Sequence, residues 1–128
     1  MGRFQRVQHV SVPMPRGGND AARAFYGRTL GLQEVQPPAT LDTAALVWFQ
    51  VGDEGHEIHV FTNERLGPNS PDQHLCLQVD DIAAARQQLT ERAIPIEETT
   101  PIHNRPRFFI RDPFGNRIEI TQITGNFA

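Results

Sequence analysis

The amino-acid sequence predicts an α+β fold built from two tandem β-α-β-β-β modules. Strand-like alternation of apolar residues gives way to helical spacing and then returns, and this order occurs twice along the 128 residues. Similar polar residues also recur at about half the chain length, since His9 and His74 lie 65 positions apart and His59 and Glu119 lie 60 apart. The sequence therefore predicts a single domain over 1–128, with module 1 at about 4–64 and module 2 at about 72–124.

Module 1 starts with a predicted strand at 6–13, in which apolar and polar residues alternate. A helix at about 20–30 follows, with Asn19 as its N-cap and Gly31 as its C-cap. The apolar stripe of this helix consists of Ala22, Phe25, Tyr26, Thr29 and Leu30. The remaining predicted strands are 32–35, 45–51 and 57–61, the last two joined by the turn signal GDEG.

Module 2 repeats this order and starts with a predicted strand at 74–79. Either Asp80 or Asp81 is expected to cap a helix at about 82–92. The apolar stripe of this second helix consists of Ile82, Ala85, Leu89 and Ala93. The remaining predicted strands are 94–98, 107–112 and 117–123.

Strand pleating assigns alternate residues to opposite faces of each sheet. The apolar face, expected to pack against the helices, carries Val10, Val12, Ile58, Val60, Leu75, Leu77, Ile118 and Ile120. The other face carries His9, Ser11, Glu57, His59, Phe61, His74, Cys76, Gln78, Arg117, Glu119 and Thr121. If the modules face each other as a curved mixed sheet, this polar set lines a concave cavity on which four metal-competent side chains converge.

The composition narrows the class of function. The formal net charge is −3, so nucleic acid is not an expected partner. All 12 basic residues are arginines, which excludes a Schiff-base lysine. The single cysteine, Cys76, cannot form an internal disulfide and fits a reducing compartment. Without a recognisable signal peptide or a long apolar run, the chain is expected to be cytoplasmic and to have no membrane partner.

The double module and the closing segment RDPFGNRIEI, residues 111–120, resemble the vicinal oxygen chelate superfamily, which includes glyoxalases, bleomycin-resistance proteins and extradiol dioxygenases. The resemblance covers about residues 4–123 and implies a glyoxalase-like fold around a metal and substrate cavity. It also implies a small-molecule substrate and, at this chain length, a homodimer. The segment DPFGN has the composition of a turn, with Gly115 able to adopt positive φ, and it sets the register of the strand that carries Glu119.

The resemblance implies metal ligands on the first and last strand of each module. Carried over to this chain, the ligands of a divalent ion (Zn, Ni, Co, Mn or Fe(II)) are His9, His59, His74 and Glu119. With His59 included, the donors are three nitrogens and one oxygen, which suits Zn, Ni or Co. Without His59, two histidines and one carboxylate remain, which suits Fe(II). An ion pair with Arg107 or Arg117 is the alternative role for Glu119.

Further residues are predicted around this centre. Glu57 lies on the same strand face as His59 and is expected to support the ligands or act as a base, or else to lie exposed at the cavity rim. The candidates for binding substrate are Arg105, Arg107, Trp48 and Phe61. The two arginines are candidates because a guanidinium group binds carboxylates in bidentate fashion. The two aromatic residues are candidates because their side chains can form an apolar wall.

These residues favour a metal-dependent enzyme of the lyase or isomerase type, acting on a small substrate chelated through two neighbouring oxygens. Glu119 is the predicted catalytic residue, because a carboxylate that loosens from the ion can transfer a proton. One alternative is an Fe(II) extradiol-type dioxygenase. Another is a non-catalytic protein that binds a drug or metabolite, although a metal-free pocket has no need of a complete ligand set.

Overall fold

The computed structural model describes residues 2–64 and 72–126. The chain divides into two compact units, Met1–Gly67 and Pro68–Ala128. The described elements are β1 (His9–Met14), α1 (Asn19–Ala22), a π-helical segment (Arg23–Thr29), β2 (Gln33–Val35), a 3₁₀ turn (Thr43–Ala45), β3 (Leu46–Val51), β4 (His56–Thr62), β5 (His74–Gln78), α2 (Ile82–Glu91), β6 (Arg107–Arg111) and β7 (Arg117–Thr121). The predicted α+β class with two sheet-bearing modules is confirmed.

The first unit contains a four-stranded mixed sheet in the order β1-β4-β3-β2, with β1 parallel to β4 and the other pairs antiparallel. One face of this sheet is apolar and packs against the helical region, where the Tyr26 ring lies 5.6 Å from the Phe49 ring. The buried side chains of this core include Val12, Met14, Ala22, Phe25, Tyr26, Val47, Phe49, Ile58 and Val60. Burying each large apolar side chain stabilises the fold by about 1.5–3 kcal/mol.

The helix that follows β1 differs from the prediction at its start and in its winding. Asn19 makes no capping hydrogen bond, so the predicted N-cap is wrong; its side-chain amide donates instead to the backbone carbonyl of Ala44 at 3.0 Å. Arg23–Thr29 is wound as a π-helix, which the apolar spacing could not reveal because it shows the buried face and not the hydrogen-bond register. Gly31 ends the helical region with a φ of 75°, as predicted.

The second unit contains a three-stranded sheet in the order β5-β7-β6, with β5 parallel to β7 and β6 antiparallel to it. Its apolar core includes Leu89 of α2 and the strand residues Phe108, Ile110, Ile118 and Ile120. Asp81 caps α2, as predicted, because its side chain accepts a hydrogen bond from the backbone N–H of Ala84 at 3.0 Å. The Arg86 guanidinium of α2 lies 4.9 Å from the centre of the Phe108 ring, so the helix packs on this sheet.

The predicted strand at 94–98 is wrong. Within that range the structure has one isolated bridge, in which Glu97 and Phe109 exchange two backbone hydrogen bonds of 2.8 and 2.9 Å. Pro95 has no backbone N–H and cannot donate a ladder hydrogen bond, so the pairing is limited to Glu97. Among its described residues, the second unit therefore has one strand fewer than the first.

Two residues of the predicted apolar stripes are exposed. Val10 is 39% exposed, because β1 is an edge strand of the first sheet. Ala93 lies beyond the end of α2 with a φ of 59°, where it is exposed and not part of the helical stripe. Leu75 and Leu77, also predicted to be buried, are half-buried. The apolar face is thus most complete on the inner strands.

The turn between β6 and β7 fixes the position of the last strand. The buried carboxylate of Asp112 accepts hydrogen bonds from the backbone N–H groups of Phe114 and Asn116 at 2.9 and 2.8 Å. Gly115 adopts a φ of 88°, so the predicted turn chemistry is confirmed. This register places Glu119 on the polar face of the second sheet. None of the helices in the described ranges is long and apolar enough to cross a membrane.

Candidate metal centre

The polar face of the first sheet carries three stacked rings on three neighbouring strands, which we name the ring stack: Trp48, His59 and His9. The His59 ring lies 3.7 Å from the Trp48 ring at an interplanar angle of 1°, and 4.0 Å from the His9 ring at 16°. Strand register produces this stack, because Trp48 pairs with His59 while His9 pairs with Glu57, two residues earlier on the same face. His59 is consequently only 8% exposed.

Hydrogen bonds determine which nitrogen of each histidine in the stack carries the proton. The Nε2 atom of His59 lies 2.8 Å from Oε1 of Glu57, and Nδ1 of His9 lies 2.7 Å from Oε1 of Gln8. The Gln8 amide is oriented by its own donation to the Gly55 carbonyl at 3.2 Å. Because these oxygens only accept, a neutral imidazole places its proton on the nitrogen facing them. The lone pair then lies on Nε2 of His9 and on Nδ1 of His59.

Burial and hydrogen bonding shift the pKa values of the Glu57–His59 pair. Burial lowers the pKa of His59 below its ordinary value of 6.5, although the hydrogen bond with Glu57 opposes this shift. The hydrogen bond from His59 lowers the pKa of Glu57 below its ordinary value of 4.5. At neutral pH the pair is therefore a neutral imidazole that donates to an ionised carboxylate.

The polar face of the second sheet brings His74 and Glu119 together. The Nε2 atom of His74 lies 3.0 Å from Oε1 of Glu119, and its Nδ1 lies 2.8 Å from the backbone carbonyl oxygen of Asp72. Both imidazole nitrogens thus face oxygen acceptors, although a neutral imidazole has only one N–H. A second proton on the imidazole, or a cation between Nε2 and the carboxylate, satisfies both groups. The separation of 3.0 Å is that of a hydrogen bond, and the imidazole nitrogen and the carboxylate are both ligand types that a divalent ion takes.

Two further side chains surround the Glu119 carboxylate, which is 13% exposed. Nη1 of Arg107 lies 3.4 Å from its Oε1, so the ion pair named as the alternative role for Glu119 is present with Arg107. Arg107 is held by donating from Nε and Nη2 to the Thr100 carbonyl at 3.2 and 2.9 Å. Cys76 is exposed, and partial desolvation of its thiol raises the pKa of that group to about 11, assisted by the nearby charge of Glu119.

Phe109 forms the floor beneath this second pair. Its ring is opposite Glu119 in the pairing of β6 with β7, and the His74 ring meets it edge-on at 4.9 Å and 90°. The Arg117 guanidinium lies 3.6 Å from the centre of the Phe109 ring, a cation–π contact. Arg117 is therefore part of the surroundings of the pair through Phe109.

The other predicted site residues have different surroundings. Arg105 donates hydrogen bonds to the backbone carbonyls of Asn104, at 2.8 Å, and Gly125, and so ties its loop to the C-terminal segment. Phe61 is half-buried on β4, on the same face as His59 and two residues along. The indole Nε1 of Trp48 is buried and has no hydrogen-bond acceptor among the described residues.

The four predicted ligands occur as two pairs, one in each unit: His9 with His59, and His74 with Glu119. Within residues 2–64 and 72–126, no group of three or more His, Cys, Asp or Glu side chains is arranged to hold a metal ion. The second pair brings together two ligand types that a divalent ion takes. The first pair presents stacked rings whose lone pairs lie on different nitrogens.

Three contributors were missing from the predicted site: Gln8, the Asp72 carbonyl and Cys76. Cys76 pairs directly with Glu119 across β5 and β7, and strand alternation had already placed it on the polar face. Gln8 lies in the predicted strand at 6–13 but precedes β1, and Asp72 precedes β5; the alternation of apolar and polar residues marks neither of them as a partner of a histidine. They support the histidine that follows each of them.

Residues 6–120 match the family model of the Glyoxalase/Bleomycin resistance protein/Dioxygenase superfamily. The chain belongs to this superfamily. The resemblance drawn from the RDPFGNRIEI segment and the double module is thereby confirmed. The match includes all four predicted ligands.

Relatives of this superfamily member include two epimerases and a solved structure. The ethylmalonyl-CoA/methylmalonyl-CoA epimerase of Cereibacter sphaeroides is 29% identical over 136 residues, which cover 92% of this chain and 98% of the relative. The mitochondrial methylmalonyl-CoA epimerase of Bos taurus is 29% identical over 135 residues, covering 91% of this chain and 74% of the relative. A glyoxalase family protein from Bacillus anthracis superposes with a TM-score of 0.87 at 32% identity, covering 96% of this chain and 98% of the other.

Proposed function

We propose that this superfamily member is a metal-dependent isomerase that acts as an epimerase, moving a proton at the carbon next to the carbonyl group of a small acyl substrate. The observation that carries the proposal is the His74–Glu119 pair. Nε2 of His74 lies 3.0 Å from Oε1 of Glu119, and Nδ1 of His74 is already hydrogen-bonded to the backbone carbonyl oxygen of Asp72. Two relatives that align over most of the chain are epimerases by name, which supports the same reaction.

The proposed ligands of the divalent ion (Zn, Ni, Co, Mn or Fe(II)) are His9, His59, His74 and Glu119. The protein is also proposed to act as a homodimer. When bound, the ion supplies positive charge that stabilises the negative charge developing on the substrate carbonyl oxygen.

Glu119 is the proposed catalytic residue. Its carboxylate takes the proton from the α-carbon while the electron pair of the broken C–H bond moves onto the carbonyl oxygen. A proton from solvent then adds to the opposite face of that carbon as the electron pair returns, and Glu119 releases its own proton to solvent. The guanidinium of Arg107 lies 3.4 Å from Glu119 and is proposed to bind a carboxylate of the substrate. Phe61 and Trp48 are proposed as apolar walls, and Arg105 as a residue that supports the loop preceding Arg107.

Metal analysis tests the first part of the proposal. The wild type, His74→Ala and His103→Ala are purified without added metal, reconstituted with a divalent ion and desalted before their metal content is measured. His103 is exposed in a loop and serves as the matched control. We expect stoichiometric metal in the wild type and the control and its loss from His74→Ala. A wild type that binds no metal after reconstitution contradicts the enzyme proposal and leaves a non-catalytic binding protein.

Proton exchange tests the second part. The metal-loaded protein is incubated with methylmalonyl-CoA or ethylmalonyl-CoA in D2O, and deuterium at the α-carbon is followed by mass spectrometry against a sample without protein. We expect deuterium incorporation by the wild type and none above background by Glu119→Gln. Loaded wild-type protein that exchanges neither substrate contradicts the epimerase assignment.

A second candidate, an Fe(II) extradiol-type dioxygenase, is favoured by one observation. The Nε2 atom of His59 already faces Glu57, and without His59 the proposed ligands reduce to two histidines and one carboxylate, the set typical of non-haem iron. Iron as the retained metal, together with oxygen consumption in the presence of a catechol, distinguishes this candidate from the epimerase.

A further inference from the structure

The three candidate histidine ligands present different nitrogens. In His9 and His74, Nδ1 faces an oxygen acceptor at 2.7 and 2.8 Å, which leaves Nε2 of each directed away from that partner. In His59 the arrangement is reversed, because Nε2 faces Glu57 at 2.8 Å. No described residue makes a hydrogen bond with Nδ1 of His59. The difference therefore follows from one carboxylate, that of Glu57.

We infer that Glu57 is a positioning residue that holds His59 in the Nε2–H tautomer and thereby makes Nδ1 the nitrogen that His59 offers to a bound ion. The tautomer follows from the hydrogen bond alone, since an ionised carboxylate accepts and cannot donate. The part that concerns the ion rests on the proposed function. In this arrangement Glu57 supports His59 from the side opposite to the coordinating nitrogen.

The ring stack prevents His59 from escaping this arrangement. The imidazole plane is fixed between Trp48 on one side and His9 on the other, with ring separations of 3.7 and 4.0 Å. A half-turn of the ring within that slot would place a carbon where Nε2 now meets Glu57. It would lose a charge-assisted hydrogen bond, which is about twice as strong as a neutral one. The slot therefore favours one ring orientation.

Glu57 is itself held in place. Its side chain is 25% exposed, the hydrogen bond with His59 lies along the strand face, and the nearby amide of Gln8 helps to lower the pKa of its carboxyl group. The same Gln8 side chain accepts a hydrogen bond from Nδ1 of His9, so it lies beside both His9 and the carboxylate that holds His59. The carboxylate is thus part of a small network and not a freely solvated group at a rim. Such partners of ligand histidines orient the ring and raise its basicity.

Nitrogen NMR of the metal-free protein tests the tautomer. Long-range ¹H–¹⁵N correlation spectra distinguish the two imidazole tautomers, and the chain has five histidines, of which His59 is identified by its missing signals in His59→Gln. We expect the Nε2–H pattern in the wild type, in Glu57→Gln, whose amide oxygen still accepts, and in the exposed control Glu54→Ala. We expect a mixture of tautomers in Glu57→Ala. The Nδ1–H pattern in the wild type, or an unchanged pattern in Glu57→Ala, would overturn the inference.

A zinc titration of the same samples tests the coordinating nitrogen. We expect the Nδ1 signal of His59 to shift on zinc addition, and the zinc affinity of Glu57→Ala to fall about 10- to 100-fold, with Glu57→Gln less affected. A shift of Nε2 instead would show that the ion displaces Glu57 and would overturn the inference. If the wild type binds no zinc at all, the proposed function fails, and the tautomer spectra still decide whether Glu57 positions His59.

Discussion

The two halves of the chain place their candidate ligands at matching strand positions but hold them in different ways. In the first half, His9 and His59 lie face to face with ring centres 4.0 Å apart, and their hydrogen bonds go to other residues. In the second half, Nε2 of His74 and Oε1 of Glu119 face each other at 3.0 Å. A sequence repeat thus preserves where a side chain sits on the sheet, while its neighbours decide which atom it presents.

The exposed fraction of the side chain also differs between His59 and His74. The His59 side chain is 10% exposed and is packed between two rings, whereas the His74 side chain is 28% exposed and touches Phe109 at its edge. His59 is therefore part of the packing of its unit, whereas its stacking partner His9 is exposed, and His59 contributes to stability whether or not an ion is bound. The second pair is arranged mainly for the chemistry of its donor atoms.

The largest expected effect comes from the second pair. Replacing Glu119 by Gln removes the proposed base and a charged ligand, so we expect α-proton exchange to fall about 100- to 10,000-fold. Glu91→Gln on the exposed end of α2 is the matched control and should exchange at the wild-type rate. Deuterium incorporation by Glu119→Gln at a rate near that of the wild type would show that the base lies elsewhere.

For the free energy of unfolding we expect the larger loss in the first pair, whereas for proton exchange we expect it in the second. In metal-free protein, His59→Ala removes a buried ring from the stack and leaves Glu57 without its donor, which we expect to lower the free energy of unfolding by about 2–4 kcal/mol. His74→Ala removes a partly exposed ring and should cost about 1 kcal/mol or less. Urea unfolding in the presence of a chelator measures both losses. Equal losses would remove the distinction between a packed pair and a chemically arranged pair.

Strand alternation predicted the faces of both sheets correctly on the inner strands. It placed His59 and Glu57 on the face opposite to Ile58 and Val60, both of which are buried. It failed where one residue changes the hydrogen bonding, as at Pro95. Alternation depends on the pleat of a single strand, so it works wherever a continuous ladder forms and gives no warning where the ladder breaks.

The site could be predicted only as a set of positions. Alternation and the repeat identified which residues share a face, but the Trp48–His59 contact depends on the register between β3 and β4, which is set by the turn between them. The Asp72 carbonyl is a backbone group and leaves no mark in residue type. The sequence therefore indicated the positions of the candidate ligands, whereas the nitrogen that each histidine presents follows from contacts that only the structure shows.

Each half also contains one residue whose fluorescence or reactivity can be measured next to its own pair. The effects expected there are smaller than those on proton exchange and stability. Trp48, the only tryptophan, stacks on His59, and Cys76, the only cysteine, adjoins Glu119. With its pKa raised to about 11, the Cys76 thiol should react with a disulfide reagent at pH 8 about tenfold more slowly than in the urea-unfolded chain, since its greater nucleophilicity only partly offsets the scarcity of thiolate. Glu119→Gln should speed this reaction.

Zinc addition then compares the halves directly. If one ion binds both pairs, the reactivity of Cys76 and the fluorescence of Trp48 should change together and reach their end points at the same zinc concentration. A Cys76 response without a Trp48 response would assign the ion to the second pair alone and would favour the view that the first pair serves packing.

The smallest expected effect is the pH dependence of stability, and it belongs to the first pair. The pKa of His59 is lowered by burial from 6.5, so in the window between 6.5 and its lower folded value the unfolded chain binds a proton that the folded chain does not. The free energy of unfolding therefore falls as the pH falls through this window, by at most about 1.4 kcal/mol per pH unit for one proton. Glu57 acts in the same direction at lower pH, because its folded pKa lies below 4.5 and its contribution is lost as the pH falls through that value.

His59→Phe isolates this contribution, since phenylalanine keeps an aromatic ring in the stack but neither titrates nor donates to Glu57. Urea unfolding of metal-free protein at pH values from 7.5 to 4 should give a shallower loss of stability for His59→Phe than for the wild type. Parallel pH profiles would mean that the acid sensitivity arises outside the Glu57–His59 pair. Because the variant removes the only described donor that faces the Glu57 Oε1 atom, a shallower profile would also show that the neutral imidazole and the ionised carboxylate stabilise the first unit as a pair.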